Sequence, residues 1–372
     1  MSRDLGLGWP EPVAGEAVGL GWPGAAARTT AVSRETSGAV SAAAGVTATP
    51  DADLDLQPDP GPDPDPDHER DDTPLARELA NDTRRRRALH GQRLPPPPQT
   101  RVMTVANQKG GVGKTTTTVN LAAALAQSGL LVLVLDLDPQ GNTSTALGIA
   151  HYAEVPSIYD VLVDSVPLAD VVQPCPDVAG LFCAPATIDL AGAEIELVSM
   201  VAREARLLRA LETYLRDRAA SRAPRLDYVL IDCPPSLGLL TVNALVGAHE
   251  VFVPIQCEYY ALEGVSQLWK NIEMVRAHLN PALHVSTILL TMYDGRTRLA
   301  ADVADQVREH FPDLVLRTSI PRSVRISEAP SHGQTVMTYD PGSSGALSYA
   351  EAARELALRT PVPVLATASG GR

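Results

Sequence analysis

Residues 104–118 read Thr-Val-Ala-Asn-Gln-Lys-Gly-Gly-Val-Gly-Lys-Thr-Thr-Thr-Thr. They lie between an apolar run, Val102 to Ala106, and a helix-compatible run, Val119 to Ala126. Strand, glycine loop and helix in that order make a phosphate cradle. Gly110, Gly111 and Gly113 let successive backbone N–H groups turn inward, and the positive end of the following helix favours an anion. Lys114 can reach the β- and γ-phosphates of a nucleotide, and the Thr115 hydroxyl can hold Mg²⁺. The candidate nucleotide contacts run from Gln108 through Lys109, Gly110, Gly111, Val112, Gly113, Lys114 and Thr115 to Thr116. The loop departs from the pattern G-x-x-x-x-G-K-[ST]. Its first glycine would fall at Gln108, and a second lysine, Lys109, stands at its front instead. The chain has three lysines, Lys109, Lys114 and Lys270, so two of them sit in this one loop.

Two further segments carry carboxylates where such a site needs them. Leu131 to Asn142 is an apolar run delivering Asp136 and Asp138 before Pro139 and Gly141 break it. Phosphoryl transfer asks mainly for positioning and charge neutralisation, so one oriented carboxylate near the γ-phosphate suffices. Tyr228 to Ser236 reads Tyr-Val-Leu-Ile-Asp-Cys-Pro-Pro-Ser, a Walker B pattern in which Asp232 would hold Mg²⁺ through water. Cys233 reads as a small packing residue.

These residues must be placed by a regular frame. Strands are expected at 101–106, 130–136, 180–184, 227–232, 250–255 and 284–291. Helices are expected at 114–128, 190–218 (broken), 238–247, 261–279, 297–310 and 345–360. Continuous apolar strands alternating with helices predict an α/β fold, a mostly parallel sheet covered on both faces. Ligands on such sheets bind at the carboxyl ends of the strands, where the glycine loop falls.

Composition bounds the rest. The 372 residues are 45% hydrophobic but 4% aromatic, which predicts a core of Leu, Val and Ala. The net charge of −13 does not advertise nucleic-acid binding, so any DNA contact needs a local arginine patch. Cys175, Cys183, Cys233 and Cys257 show no C-x-x-C spacing, which argues against zinc or disulfides and fits a reducing cytoplasm. No signal peptide and no apolar run of about 18 residues is found, so no membrane insertion is expected. Residues 1–98 read as a disordered Ala/Pro/Asp-rich extension, with a Pro/Asp alternation from Asp59 to Asp67 and a stiff Pro95–Pro98 boundary. Within it, Gly-Leu-Gly-Trp-Pro occurs at 6–10 and 19–23, a means of anchoring a polar or scaffold partner. Thr73 to Ala80 resembles a short capped helix able to dock, and Arg84 to Arg87 is a basic run able to touch phosphate or anionic lipid. Residues 363–372 read as a flexible tail.

The K-G-G-x-G-K-[ST] form is the deviant Walker A motif, and with the segments after it the chain resembles the ParA/Soj family within the ParA/MinD class of P-loop ATPases. The resemblance covers about residues 101–360. It implies an ATPase domain over 99–362 that takes ATP and Mg²⁺ and forms an ATP-dependent sandwich homodimer, with Lys109 reaching the partner subunit's nucleotide. It implies that Asp138 positions or activates the attacking water and that Pro234 and Pro235 mark a second switch. Gln256 to Gly264 resembles a segment near the dimer interface. Ser319 to Gln334 resembles the loop that packs on adenine, with Pro321 and Ser323 at the base-contact positions; the usual family residue at 323 is Asn.

The resemblance further implies chromosome segregation. The dimer binds double-stranded DNA without sequence preference, and a ParB-like centromere-binding protein stimulates hydrolysis and release. Arg296, Arg298, Arg322 and Arg325 are the candidate DNA contacts, and a cytoplasmic, nucleoid-associated location follows. A ParA-like ATPase positioning another cargo is the nearest alternative. A MinD-type membrane ATPase would need a basic amphipathic C-terminal helix, where this chain has Thr360-Pro-Val-Pro-Val. An ATP-dependent amidase or a nitrogenase-reductase-like carrier would need substrate residues or cluster-bridging cysteines that do not stand out.

Overall fold

The computed structural model describes residues 73–89, 91–259 and 261–359, all within the compact unit Asp65–Arg372. The tryptophan-containing repeats, the Pro/Asp alternation and residues 363–372 lie outside the described residues.

Eight strands form one sheet: β1 Arg101–Val105, β2 Val132–Asp136, β3 Gln173–Pro174, β4 Leu181–Ala184, β5 Tyr228–Asp232, β6 Glu250–Gln256, β7 His284–Tyr293 and β8 Val315–Pro321. The order is β3-β4-β2-β5-β1-β6-β7-β8, and every neighbouring pair is parallel except the short edge pair β3–β4. Among the described residues thirteen α-helices accompany it. The first seven are α1 Pro74–Leu89, α2 Lys114–Gln127, α3 Asn142–Ala146, α4 Ile158–Leu162, α5 Leu168–Val171, α6 Leu190–Leu197 and α7 Arg206–Ala220. The others are α8 Leu239–Gly247, α9 Ala261–His278, α10 Arg298–His310, α11 Val324–Glu328, α12 Val336–Tyr339 and α13 Ser344–Leu358.

The alternating side chains of single strands show why both faces must be covered. Val132, Val134, Tyr228 and Leu230 join one core with α2 and α13 residues such as Leu121, Leu125, Tyr349 and Leu356. Leu133, Leu135, Val229 and Ile231 join the other, with Leu190, Leu211, Leu245 and Val303 from α6, α7, α8 and α10. A strand apolar at every position has no solvent face to offer, and only helices on both sides satisfy it.

The central strands and long helices lie where the sequence places them. Two differences, and the one break that was expected, have local causes. β8 was not expected, because Val-Leu-Arg-Thr-Ser-Ile-Pro is an edge strand with mixed burial and no continuous apolar run. The broken 190–218 segment divides at Ala202, whose φ of 53° is left-handed. Pro74–Leu89 forms a helix inside the stretch expected to be disordered. Thr73 caps it, its Oγ1 accepting from Ala76 N at 3.2 Å, and the structured chain therefore begins well before residue 99.

One charged pair sits inside this frame. Arg101 is 4% exposed, and its Nε and Nη2 donate to the two carboxylate oxygens of Glu250 at 2.8 and 2.6 Å. Its Nη1 also donates to Leu356 O, so it joins β1, β6 and α13. Removing one partner of such a pair leaves a buried charge with no compensation. Glu250→Ala is expected to lower unfolding stability by about 3–5 kcal/mol in urea denaturation of the nucleotide-free protein. A loss below about 1 kcal/mol would show that water replaces the carboxylate.

Candidate functional site

The sheet order brings together three segments that are far apart in sequence. β2, β5 and β1 are consecutive, and Asp136 pairs in register with Asp232, which pairs in turn with Val105. The carboxyl ends of these three strands deliver Asp136 and Asp138, Asp232, and the glycine loop to one place.

The loop spans 106–113 and is anchored at both sides. Ala106 N donates to Phe252 O at 3.1 Å, and Asn107 Nδ2 donates to Pro254 O at 2.8 Å. Asn107 Oδ1 accepts from Lys109 N, and Thr291 at the end of β7 donates its hydroxyl to Val112 O at 2.8 Å. Gly111 and Gly113 have φ of 75° and 87°, a region that side-chain-bearing residues seldom adopt. A Cβ at Gly110 or Gly111 would meet nothing within 4 Å, so both positions border open space. Lys114 opens α2 and is buried; burial pulls its pKa below the usual lysine range, while Asp232 and Asp138 pull it back.

Asp232 is fully buried and gathers three hydroxyls. Its Oδ2 accepts from Thr115 Oγ1 at 2.7 Å and Thr143 Oγ1 at 2.8 Å, and its Oδ1 accepts from Thr118 Oγ1 at 3.2 Å. Burial pushes its pKa up to about 6 against the pull of those hydrogen bonds. Asp136 is also fully buried and is pushed up to about 7, by burial and then by the charge of Asp232. It accepts from Ser144 N and Ser144 Oγ at 3.0 and 2.7 Å, and from Asp138 N at 3.2 Å. Asp136 thus fixes the start of α3 and the backbone of Asp138. Asp138 itself accepts from Gln140 N, with 9% of its surface exposed.

Oxygen donors of this kind suit Mg²⁺, and two hydroxyls on one carboxylate oxygen give that ion a ready point of attachment. Among the described residues no group of three or more His, Cys, Asp or Glu side chains could hold a metal ion. The four cysteines are free and buried, and burial raises Cys233 well above the ordinary thiol range, as expected of a packing residue.

Lys109 stands apart from this cluster. Its Nζ donates to Glu258 Oε2 at 2.9 Å, with 35% of the lysine side chain exposed. Pro321 and Ser323 lie at the carboxyl end of β8, on the same sheet edge as the loop but three strands from β1. Arg296 and Arg298 follow β7, and Arg322 and Arg325 follow β8, so the four fall at the ends of adjacent strands. Three of them meet carboxylates: Arg296 with Asp294 at 2.9 Å, Arg298 with Asp302 at 3.7 Å, and Arg325 with Glu328 and Asp340 at 3.1 and 3.5 Å.

Sequence reasoning missed Asn107, Thr118, Thr143, Glu258 and Thr291 as individuals. Thr118 ends the threonine run, and Glu258 lies in the segment read as interface-like. The other three carry no signal, because their roles come from contacts across the sheet.

Comparison with known proteins follows from this geometry. A family model described as an AAA domain (AAA_31) matches residues 100–285. The sporulation initiation inhibitor protein Soj of Bacillus subtilis is 50% identical over 257 residues, covering 69% of this chain and 98% of that protein. The chromosome partitioning protein ParA of Caulobacter vibrioides is 49% identical over 259 residues, covering 70% and 94%. A crystal structure titled cobyrinic acid a,c-diamide synthase, from Mycobacterium smegmatis with bound ADP and magnesium, is 40% identical with a TM-score of 0.58, covering 68% and 93%.

The Thr291 tether offers a test of how the loop is held. Thr291→Val keeps the shape and leaves Val112 O without its donor. Stability is expected to fall by about 1–2 kcal/mol, with ATP affinity reduced several-fold by titration calorimetry. Unchanged affinity would show that the loop holds its form without β7.

Proposed function

The chain belongs to the ParA/Soj family of P-loop ATPases, and on that footing we propose that it is a chromosome-partitioning ATPase whose ATP-bound homodimer holds double-stranded DNA until hydrolysis. The observation that carries this reading is the different placement of the two loop lysines. Lys114, Thr115, Asp138 and Asp232 converge at three adjacent strand ends, whereas Lys109 faces away to Glu258.

In this reading the loop N–H groups of Gly110 to Lys114 bind the phosphates, and Lys114 neutralises charge on the β- and γ-groups. Thr115 would hold Mg²⁺ directly and Asp232 through water. That ion supplies charge neutralisation at the phosphate oxygens. Asp138, held by the Asp136 scaffold, orients the attacking water. Pro321 and Ser323 flank the base. Lys109 leaves Glu258 to reach the partner subunit's nucleotide, so the site is complete only in the dimer. An apolar patch supports such an interface: Ile195, Val198 and Val201 are 79%, 58% and 88% exposed, and Leu237 is 43% exposed beside Gly238, where α6 approaches through Glu194. Arg296, Arg298, Arg322 and Arg325 from each subunit would then present phosphate contacts together, which lets ATP gate DNA binding. A ParB-like protein would stimulate the hydrolysis that ends the DNA-bound state. Among the described residues no helix is long and apolar enough to cross a membrane.

Duplex-DNA binding should be measured without nucleotide, with ADP and with ATP. Binding is expected with ATP alone, lost in Lys109→Ala and prolonged in Asp138→Ala. DNA binding that is indifferent to nucleotide, or absent with ATP bound, would sink the proposal. ATP turnover that instead requires a carboxylic acid and an amine donor would move the chain towards the amide-forming reaction named for the Mycobacterium smegmatis structure.

Glu258 gives a second, quantitative check. An ion pair this exposed contributes about 1 kcal/mol or less. Glu258→Gln frees Lys109 and is expected to tighten ATP-dependent dimerisation up to about fivefold in analytical ultracentrifugation. Weaker dimerisation would mean that Glu258 itself serves the interface.

A further inference from the structure

The basic run on α1 is tied to the ATPase domain by two of its four arginines, Arg85 more firmly than Arg86. Arg85 forks onto Glu351 of α13, with Nε to Oε1 and Nη2 to Oε2 both at 2.8 Å. Its Nη2 also donates to Ser348 Oγ at 2.8 Å, and its Nη1 to Asp82 Oδ1 at 3.1 Å. A bidentate arginine–carboxylate pair fixes orientation as well as distance. The carboxylate partner raises the Arg85 pKa, so this anchor stays charged. Leu79 on this helix is 61% exposed and gives it no apolar anchor at that position. What the fork does is hold Arg84, Arg86 and Arg87, all exposed, on the outside of the domain.

Their position is the informative part. Arg86 Nη2 donates to Gly342 O at 3.0 Å. A Cβ on Gly342 would lie 2.6 Å from that nitrogen and 3.8 Å from Asp340 Oδ1. The other oxygen of Asp340 faces Arg325 Nε at 3.5 Å. The turn 340–342 therefore carries α1 on one side and a candidate DNA arginine on the other. Arg86 and Arg93 also line a groove of about 640 Å³ running over Gln127, Gly129, Met337 and Gly342. Residues 73–93 hold six arginines against two acidic residues, Glu78 and Asp82, in a chain whose net charge is −13. Among the described side chains, Asp82, Asp340, Glu328 and Glu351 near this surface are each engaged with an arginine.

We propose that α1 is a docked extension of the DNA surface, in which Arg84, Arg86 and Arg87 contact duplex phosphates in line with Arg325. The inference rests on the DNA-binding reading given above. α1 lies ahead of residues 100–285 matched by the AAA domain model, so the common ATPase core does not supply this surface. Phosphate contacts need charge and reach rather than base readout, which suits arginines spaced along one helix.

The test uses the full chain with ATP and a random-sequence duplex, titrated with salt. The combined variant Arg84→Ala, Arg86→Ala, Arg87→Ala, which keeps the Arg85 anchor, is expected to lose about tenfold in affinity. Its slope of log affinity against log salt should fall by about 2–3, since each phosphate contact contributes about 0.9. Arg→Lys at the same three positions should restore the slope, and ATP binding should be unaltered in both. If the wild type binds DNA and the alanine variant matches it in affinity and slope, α1 is not part of the DNA surface and the proposal falls alone. If the wild type binds no DNA in any nucleotide state, the partitioning reading falls with it. Loss of binding to phosphatidylglycerol vesicles with DNA affinity intact would overturn the proposal in favour of a lipid surface.

Discussion

Asp232 has no exposed surface, yet both halves of the site hang on it. Thr115 and Thr118 bring the helix behind the phosphate loop to this carboxylate, and Thr143 brings the short helix after Asp138. A buried carboxylate without donors would be strongly disfavoured. Three hydroxyls lower that cost without neutralising the charge, and Lys114 supplies nearby positive charge. The loop helix and the Asp138 segment are thereby registered to one atom group rather than to each other. Anything that competes for Asp232, a hydrated cation included, acts on both at once. That is a physical basis for a nucleotide-dependent switch inside a rigid parallel sheet.

The surrounding frame makes such a cluster tolerable. Asp136 and Asp232 are register neighbours on adjacent strands, so their carboxylates repel, and Asp136 is driven up to about 7. The same closeness lets Asp136 organise Ser144 and the Asp138 backbone. β2 and β5 are apolar along their length and end in Asp136 and Asp232, while β1 buries Arg101 at its amino end against Glu250 and Thr104 against Ala244 O. Order of strands, rather than order of sequence, decides which carboxylates meet which loop.

How much of this was legible beforehand follows from the kind of signal each part sends. The phosphate loop, Asp138 and Asp232 announce themselves because a glycine pattern or an apolar run ending in Asp is local. The central strands are legible for the same reason: burial on both faces writes a continuous apolar run. β8 is not, because an edge strand with Arg317, Thr318 and Ser319 in its middle has one partner and mixed exposure. Thr143 and Thr291 are silent in the sequence, since their meaning is a contact made across the sheet. The first half of α1 was legible as a short capped helix, Thr73 to Ala80; its continuation through the basic run was not, because what fixes it is Glu351, 266 residues from Arg85.

The same distinction separates the two lysines of the loop. Lys114 is buried and its neighbours are Asp138 and Asp232, so the fold of one chain gives it a defined task. Lys109 is part-exposed and pairs with Glu258, whose own side chain is 45% exposed, through a contact that water and salt readily weaken. A strong partner would have locked it in place. A weak one holds it near the loop and releases it at little cost, which is what a residue needs if its target arrives with another subunit. One lysine is held within the fold and the other by a surface carboxylate, and that difference in burial is what supports the proposal that Lys109 serves a neighbouring subunit.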